Sequence, residues 1–133
     1  MIEERKIGID EINEIANKIA KIDGVKAVYL FGSYVTGKTH KNSDIDICVI
    51  YDKNAKKAEN EILSFGGGNL DIVFFWRLPL PIRFRVFKEG KVLVINDKEF
   101  VDDLKIETMN EYFDLKPFLD RRTAARSRMK LES

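Results

Sequence analysis

Three short apolar runs, each bounded by turn-forming residues, limit most strongly what this chain can fold into. They are Val25–Phe31, Ile45–Tyr51 and Leu70–Phe75, and their β-branched and aromatic residues predict buried strands. A shorter run at Val92–Ile95 predicts a fourth strand. Because helical patterns stand between these runs, we expect an α+β or α/β fold: a small mixed β-sheet backed by helices, with a C-terminal helical segment.

Two helices are predicted in the first half of the chain. Apolar residues at helical spacing indicate an amphipathic helix over Asp10–Ile22, with Asp10 as its N-cap and Gly24 as the residue that ends it. The segment Lys53–Leu63 is polar with a few apolar positions, which predicts an exposed helix.

The second half also predicts helices. A short one over Ile82–Lys88 has Pro81 near its first turn and Gly90 after its end. From Lys98 onward the pattern is helical, and Pro117 should kink or divide this helix. Its inward-facing candidates are Phe100, Leu104, Met109, Tyr112, Leu115 and Leu119.

Size and charge exclude several classes of protein. The 133 residues suit one compact domain, which we expect to span 1–133, and 44% of them are hydrophobic. A formal net charge of +1 gives no case for direct binding of nucleic acid or of an anionic membrane. One cysteine excludes an intrachain disulfide, and neither a membrane span nor the apolar run of a secretory signal is visible. We therefore expect a cytoplasmic protein.

Two acids at the start of a predicted strand are the chemically informative feature. Asp44 and Asp46 stand two residues apart in LFGSYVTGKTHKNSDIDICVI, so strand alternation directs both carboxylates to one face. Two such carboxylates repel each other unless a cation lies between them. Their hard oxygen atoms suit Mg²⁺, which usually binds through one or two carboxylates together with substrate phosphates.

A Gly-Ser pair directly after the first strand offers a place for those phosphates. Gly32 lets the backbone approach a ligand closely, and backbone N–H groups with the Ser33 hydroxyl can hold phosphate oxygens. A phosphate-binding turn that faces a carboxylate pair is suited to phosphoryl or nucleotidyl transfer.

The same segment matches a P-loop pattern. Gly32 to Thr39 reads G-x-x-x-x-G-K-T after a strand, but a P-loop also needs a helix that begins at the lysine. The next strand arrives within a few residues of Lys38 and leaves no room for that helix. We interpret the match as accidental.

The residues GSYVTGKTHKNSDIDICVI resemble the signature of the DNA polymerase β-type nucleotidyltransferase superfamily: a Gly-Ser, about ten residues, then Asp-x-Asp opening a strand. More narrowly, the chain resembles the minimal nucleotidyltransferase (MNT) family, whose members act as antitoxins in HEPN/MNT-type toxin–antitoxin pairs. The matching positions are Gly32, Ser33, Gly37, Ser43, Asp44, Ile45 and Asp46. Family members carry a third carboxylate on a later strand, which Asp71 in NLDIVFF matches.

The resemblance implies an activity. Asp44 and Asp46 would hold two Mg²⁺ ions, and Asp71 would bind metal and act as general base. Gly32 and Ser33, with Lys38 and Ser43 nearby, would bind the triphosphate of ATP. The implied reaction transfers AMP, or another nucleoside monophosphate, to a hydroxyl acceptor, a tyrosine of a HEPN-type toxin. A homo- or hetero-oligomer is compatible with this reading.

One departure leaves alternatives open. Many family members carry an arginine where this chain has Thr36, although Lys38 could supply the missing charge. A non-catalytic antitoxin that masks its partner therefore stays open, as does a transferase that acts on RNA. Asp71 could instead be an acid that simply faces solvent at a strand edge. Cys48 is interpreted as a buried small hydrophobe, and Trp76 as a packing residue, with stacking on a base as its alternative.

The P-loop and Gly-Ser interpretations predict opposite rankings of two variants. A P-loop lysine reaches the β- and γ-phosphates and is indispensable, whereas Lys38 is auxiliary in the Gly-Ser interpretation. We expect Lys38→Ala to lose much less single-turnover activity than Ser33→Ala. The reverse order would restore the P-loop interpretation.

Overall fold

The structure is a computed structural model that describes residues 8–32 and 44–132, of which 123–132 are described by backbone alone. The segment 33–43 lies outside the described residues, and with it the predicted positions Ser33, Thr36, Lys38 and Ser43. The regular elements are α1 (Ile9–Ala20), β1 (Val25–Phe31), β2 (Ile45–Tyr51), a 3₁₀ helix (Lys53–Ala58), α2 (Glu59–Leu63), β3 (Leu70–Phe74), a short 3₁₀ helix (Phe75–Arg77), α3 (Leu80–Glu89), β4 (Lys91–Ile95) and α4 (Lys98–Glu132).

One mixed four-stranded sheet organises the described chain, in the order β3-β2-β1-β4. β1 pairs antiparallel with both β2 and β4, whereas β2 and β3 run parallel. The parallel pair needs a crossover, which the 3₁₀ helix and α2 supply between β2 and β3. The expected mixed sheet backed by helices is confirmed.

Alternation along β2 explains why both faces of the sheet are covered. Ile45, Ile47 and Val49 are fully buried in a cluster with α1 and with Ile62 of α2. The opposite face carries Cys48 in a second cluster, with residues of α3 and α4. Burial raises the pKa of the Cys48 thiol, in agreement with its interpretation as a small buried hydrophobe.

Three local predictions were wrong in detail. The N-cap of α1 is Gly8, with no side-chain cap, so Asp10 lies in the first turn, where its charge opposes the helix dipole favourably. The segment Lys53–Leu63 is a 3₁₀ helix, kinked at Ala55 where the backbone leaves helical geometry, followed by α2. Nor is this segment simply exposed, since Glu59 is buried. α4 is not divided at Pro117, whose exposed position lets water satisfy the carbonyl that loses its N–H partner.

Gly24 lies in the turn that links α1 to the sheet, and a substitution there tests how tightly this turn is packed. Its φ is +92°, and a Cβ atom built there would overlap the Cβ atom of Ala55. Gly24→Ala should therefore lower the free energy of unfolding in urea by about 1–3 kcal/mol. Gly66→Ala is the matched control: its φ is ordinary and its new Cβ makes only ordinary contacts, so its effect should stay within about 0.5 kcal/mol. Equal effects of the two substitutions would contradict this account.

Candidate active site

The parallel pairing of β2 with β3 places two of the predicted acids side by side. Asp46 and Asp71 are register partners, and register partners on parallel strands project to the same face. The N–H of Ile45 donates to the carbonyl of Asn69 at 2.6 Å, which fixes the starts of the two strands against each other. Sequence reasoning missed this role of Asn69, because strand register is a non-local property.

The third acid stands just outside the strand. Asp44 directly precedes β2 and is exposed, as is Asp71, whereas Asp46 between them is half-buried. The three acids therefore lie along one end of the β2–β3 pair, and two of them face solvent, where a ligand can reach them.

Gly32 closes this end of the sheet against Asp46. Asp46 pairs across β2 with Phe31, the residue before Gly32. The φ of Gly32 is +86°, and a Cβ atom built there would lie 2.6 Å from Oδ2 of Asp46. A glycine is thus required both by the backbone conformation and by the approach of this carboxylate. The sequence suggested only the approach of a ligand.

The electrostatics of Asp46 reflect this crowding. Burial raises the pKa of its carboxyl group, and the neighbouring charges of Asp71 and Asp44 raise it further. Each effect disfavours the ionised form, so the ionised site carries an electrostatic cost that a bound cation would offset.

The carboxylates at this end of the sheet match the oxygen ligands that Mg²⁺ prefers. Within the described residues, no three acidic, histidine or cysteine side chains are grouped closely enough to hold an ion by themselves. Mg²⁺ does not require such a cage, since it keeps several waters and usually takes one or two carboxylates plus substrate phosphates. The paired acids Asp46 and Asp71, with Asp44 beside them, fit that mode of binding.

Comparison with known proteins decides the family. The protein-family model described as polymerase beta, nucleotidyltransferase matches residues 13–99 of the chain. This range includes Gly32 and all three acids. The chain belongs to the polymerase β nucleotidyltransferase family.

Two curated relatives are similar over part of their length. The chain is 38% identical over 76 residues to a Methanocaldococcus jannaschii protein that is named as a protein adenylyltransferase. The matched residues cover 56% of this chain and 60% of that protein. It is 47% identical over 47 residues to the protein adenylyltransferase MntA of Shewanella oneidensis, covering 32% of each. The chain thus spans 60% or less of these relatives.

Solved structures share the fold over most of the chain. A chain in the crystal structure of a toxin–antitoxin with AMP-PNP aligns with a TM-score of 0.64 and 25% identity, over 88% of this chain and 98% of that one. A chain in the structure of the tri-AMPylated Shewanella oneidensis HEPN toxin in complex with MNT antitoxin aligns with a TM-score of 0.56 and 23% identity, over 90% and 94%. The predicted nucleotidyltransferase fold is confirmed.

Among the described helices, none combines the length and the apolar composition that a membrane span requires.

The crowding of the acids predicts a gain in stability when one charge is removed. In metal-free buffer, Asp46→Asn should raise Tm by about 1–4 °C, because it relieves the repulsion from Asp44 and Asp71. Mg²⁺ should raise the Tm of the wild type and leave that of the variant almost unchanged. Asp114→Asn, at an exposed position of α4, is the control and should show neither effect. Differential scanning fluorimetry measures both, and an unchanged response of Asp46→Asn to Mg²⁺ would exclude Asp46 as a ligand.

Proposed function

We propose that this protein is a Mg²⁺-dependent nucleotidyltransferase that transfers AMP from ATP to a hydroxyl group of a partner protein. The observation that carries the proposal is the side-by-side pairing of Asp46 with Asp71, next to Asp44 and against Gly32. The family supports nucleotidyl transfer, and the names of the curated relatives support a protein acceptor. ATP is an intracellular metabolite, so the reaction belongs in the cytoplasm.

Each acid has a role in the proposed reaction. Asp44 and Asp46 would hold two Mg²⁺ ions, to which Asp71 would also contribute. Bound Mg²⁺ neutralises the triphosphate and the departing pyrophosphate. The backbone of Gly32 and the Ser33 hydroxyl bind the β- and γ-phosphates, with Lys38 and Ser43 beside them.

The reaction is an in-line displacement at phosphorus. The acceptor oxygen forms a bond to the α-phosphorus, the bond from that phosphorus to the bridging oxygen breaks, and pyrophosphate leaves. The hydroxyl proton passes to the Asp71 carboxylate, which acts as general base.

We further propose that the acceptor is a tyrosine of a HEPN-type toxin and that the protein is its antitoxin. The similarity to chains in toxin–antitoxin structures supports this choice of partner. An adenylyl group adds bulk and negative charge to the modified tyrosine. Near an RNA-binding site it would oppose the binding of RNA phosphates, which gives the inhibition a physical cause.

The C-terminal helix α4 offers the docking surface. Phe118 is 59% exposed, and the guanidinium of Arg121 lies 5.1 Å from its ring centre. Arg122 is exposed beside them. Tyr112, predicted from the sequence to face inward, stacks on Phe84 with ring centres 3.9 Å apart, so it packs mainly within the chain.

Mass spectrometry of the partner tests this function. We expect co-expression with a HEPN-type toxin from the same genome to add mass to the toxin in whole AMP units. The Asp44→Asn/Asp46→Asn double variant should add none, because it lacks the carboxylates that hold the metal. Asp114→Asn, which also removes one exposed carboxylate, should behave as the wild type.

Two other outcomes separate the remaining candidates. The Thr36 departure favours a non-catalytic antitoxin, and a toxin that is bound and inhibited but unmodified would establish that function instead. Labelled ATP and Mg²⁺ added to a lysate would place the label on RNA rather than protein if the chain were an RNA-directed transferase.

A further inference from the structure

A recess of about 320 Å³ lies at the other end of the sheet from the acids. It opens at the C-terminal end of β2 and is lined by Tyr51, Lys53, Lys56, Glu59, Trp76 and Arg77. Tyr51 stands five residues beyond Asp46 on β2, which corresponds to ~17 Å along an extended strand. The side chain of Tyr51 also lies on the face of the sheet opposite to Asp46, because it packs in the cluster with α1. The recess is therefore separate from the candidate active site.

Trp76 forms a fixed aromatic wall of this recess. Its indole N–H donates to the backbone carbonyl of Tyr51 at 2.5 Å, and its ring packs against Phe75 with ring centres 5.2 Å apart. These contacts hold the ring in one orientation. The ammonium of Lys53, an exposed residue, lies 4.6 Å from the ring centre, so a flexible cation covers the ring.

A buried carboxylate sets the charge of the recess. Glu59 is only 8% exposed, accepts a hydrogen bond from the Tyr51 hydroxyl, and accepts two from the Arg77 guanidinium at 2.8 and 3.0 Å. These contacts lower the pKa of Glu59, while burial and Glu59 raise that of Tyr51 to about 12. Glu59 stays ionised and balances Arg77. Lys53 and Lys56 remain as the excess positive charge of the lining.

We propose that this recess binds a nucleoside phosphate at a second site, independent of the reaction at the acids. The base stacks on the indole of Trp76 and displaces the Lys53 ammonium from the ring. Lys53 and Lys56 then contact the phosphate as charge-assisted donors. The volume lies at the lower end of the range for small-molecule sites, which suits a mononucleotide. An acidic peptide would use the lysines and leave the fixed indole face without a partner.

Trp76 also reports on the proposed site, because it is the only tryptophan in the sequence. The protein is titrated with AMP in EDTA, with excitation at 295 nm. Stacking should quench the emission in a saturable way, whereas adenosine and inorganic phosphate should each bind at least about tenfold more weakly, since each lacks half of the contacts. Absence of saturable quenching by AMP would overturn the proposal.

Substitutions in the recess and at the acids show which of the two places binds AMP. Lys53→Ala/Lys56→Ala should raise the AMP concentration at half-saturation by about tenfold or more, through the loss of charge-assisted contacts. Lys57→Ala, on the same 3₁₀ helix but outside the recess, is the matched control and should bind as the wild type. Asp46→Asn should also bind AMP normally in EDTA. Loss of binding in Asp46→Asn, or unchanged binding in the double lysine variant, would assign the signal to another place and overturn the proposal.

Discussion

The register between β2 and β3 is the constraint on which the rest of the structure depends. A shift of one residue would turn Asp71 to the opposite face from Asp46, and it would also move the apolar partners of β2 out of the core. The buried residues Ile45, Ile47 and Val49 resist such a shift, because their burial stabilises one register only. The geometry of the candidate active site is therefore maintained by hydrophobic packing on the face where the acids do not lie.

Along one face of β2, a charged position at the solvent edge gives way to an apolar position in the core. Asp46 sits at the start of β2, where the sheet meets solvent, and Cys48 on the same face is already fully buried. A half-buried carboxylate keeps its exposed edge for a ligand while burial strengthens its electrostatic interactions. The raised pKa of Asp46 follows from this position, and a bound cation would offset it.

Local patterns predicted the strands better than the contacts between them. The bounds of β1 and β2 follow from their apolar runs, and the acids Asp44 and Asp46 were found by their two-residue spacing at the start of one predicted strand. The choice of Asp71 as a third acid came only from a family resemblance, and its pairing with Asp46 was not predicted, because register depends on residues far apart in sequence. The burial of Glu59 was not predicted, since nothing near it in the sequence indicates that Tyr51 and Arg77 will satisfy both of its oxygens.

The long helix α4 is buried near its start, so different parts of the chain tolerate substitution differently. Its 35 residues extend ~52 Å, yet its buried positions among those described are Val101, Leu104 and Thr108, all in the first third. From 109 to 122, where its side chains are described, the helix therefore contributes no fully buried residue to the core. Under the proposed function, substitutions there would follow a changing partner surface without disturbing the acids, whereas substitutions at the ends of β2 and β3 would not. In a chain that works as proposed, partner choice would diverge quickly while the chemistry stays fixed.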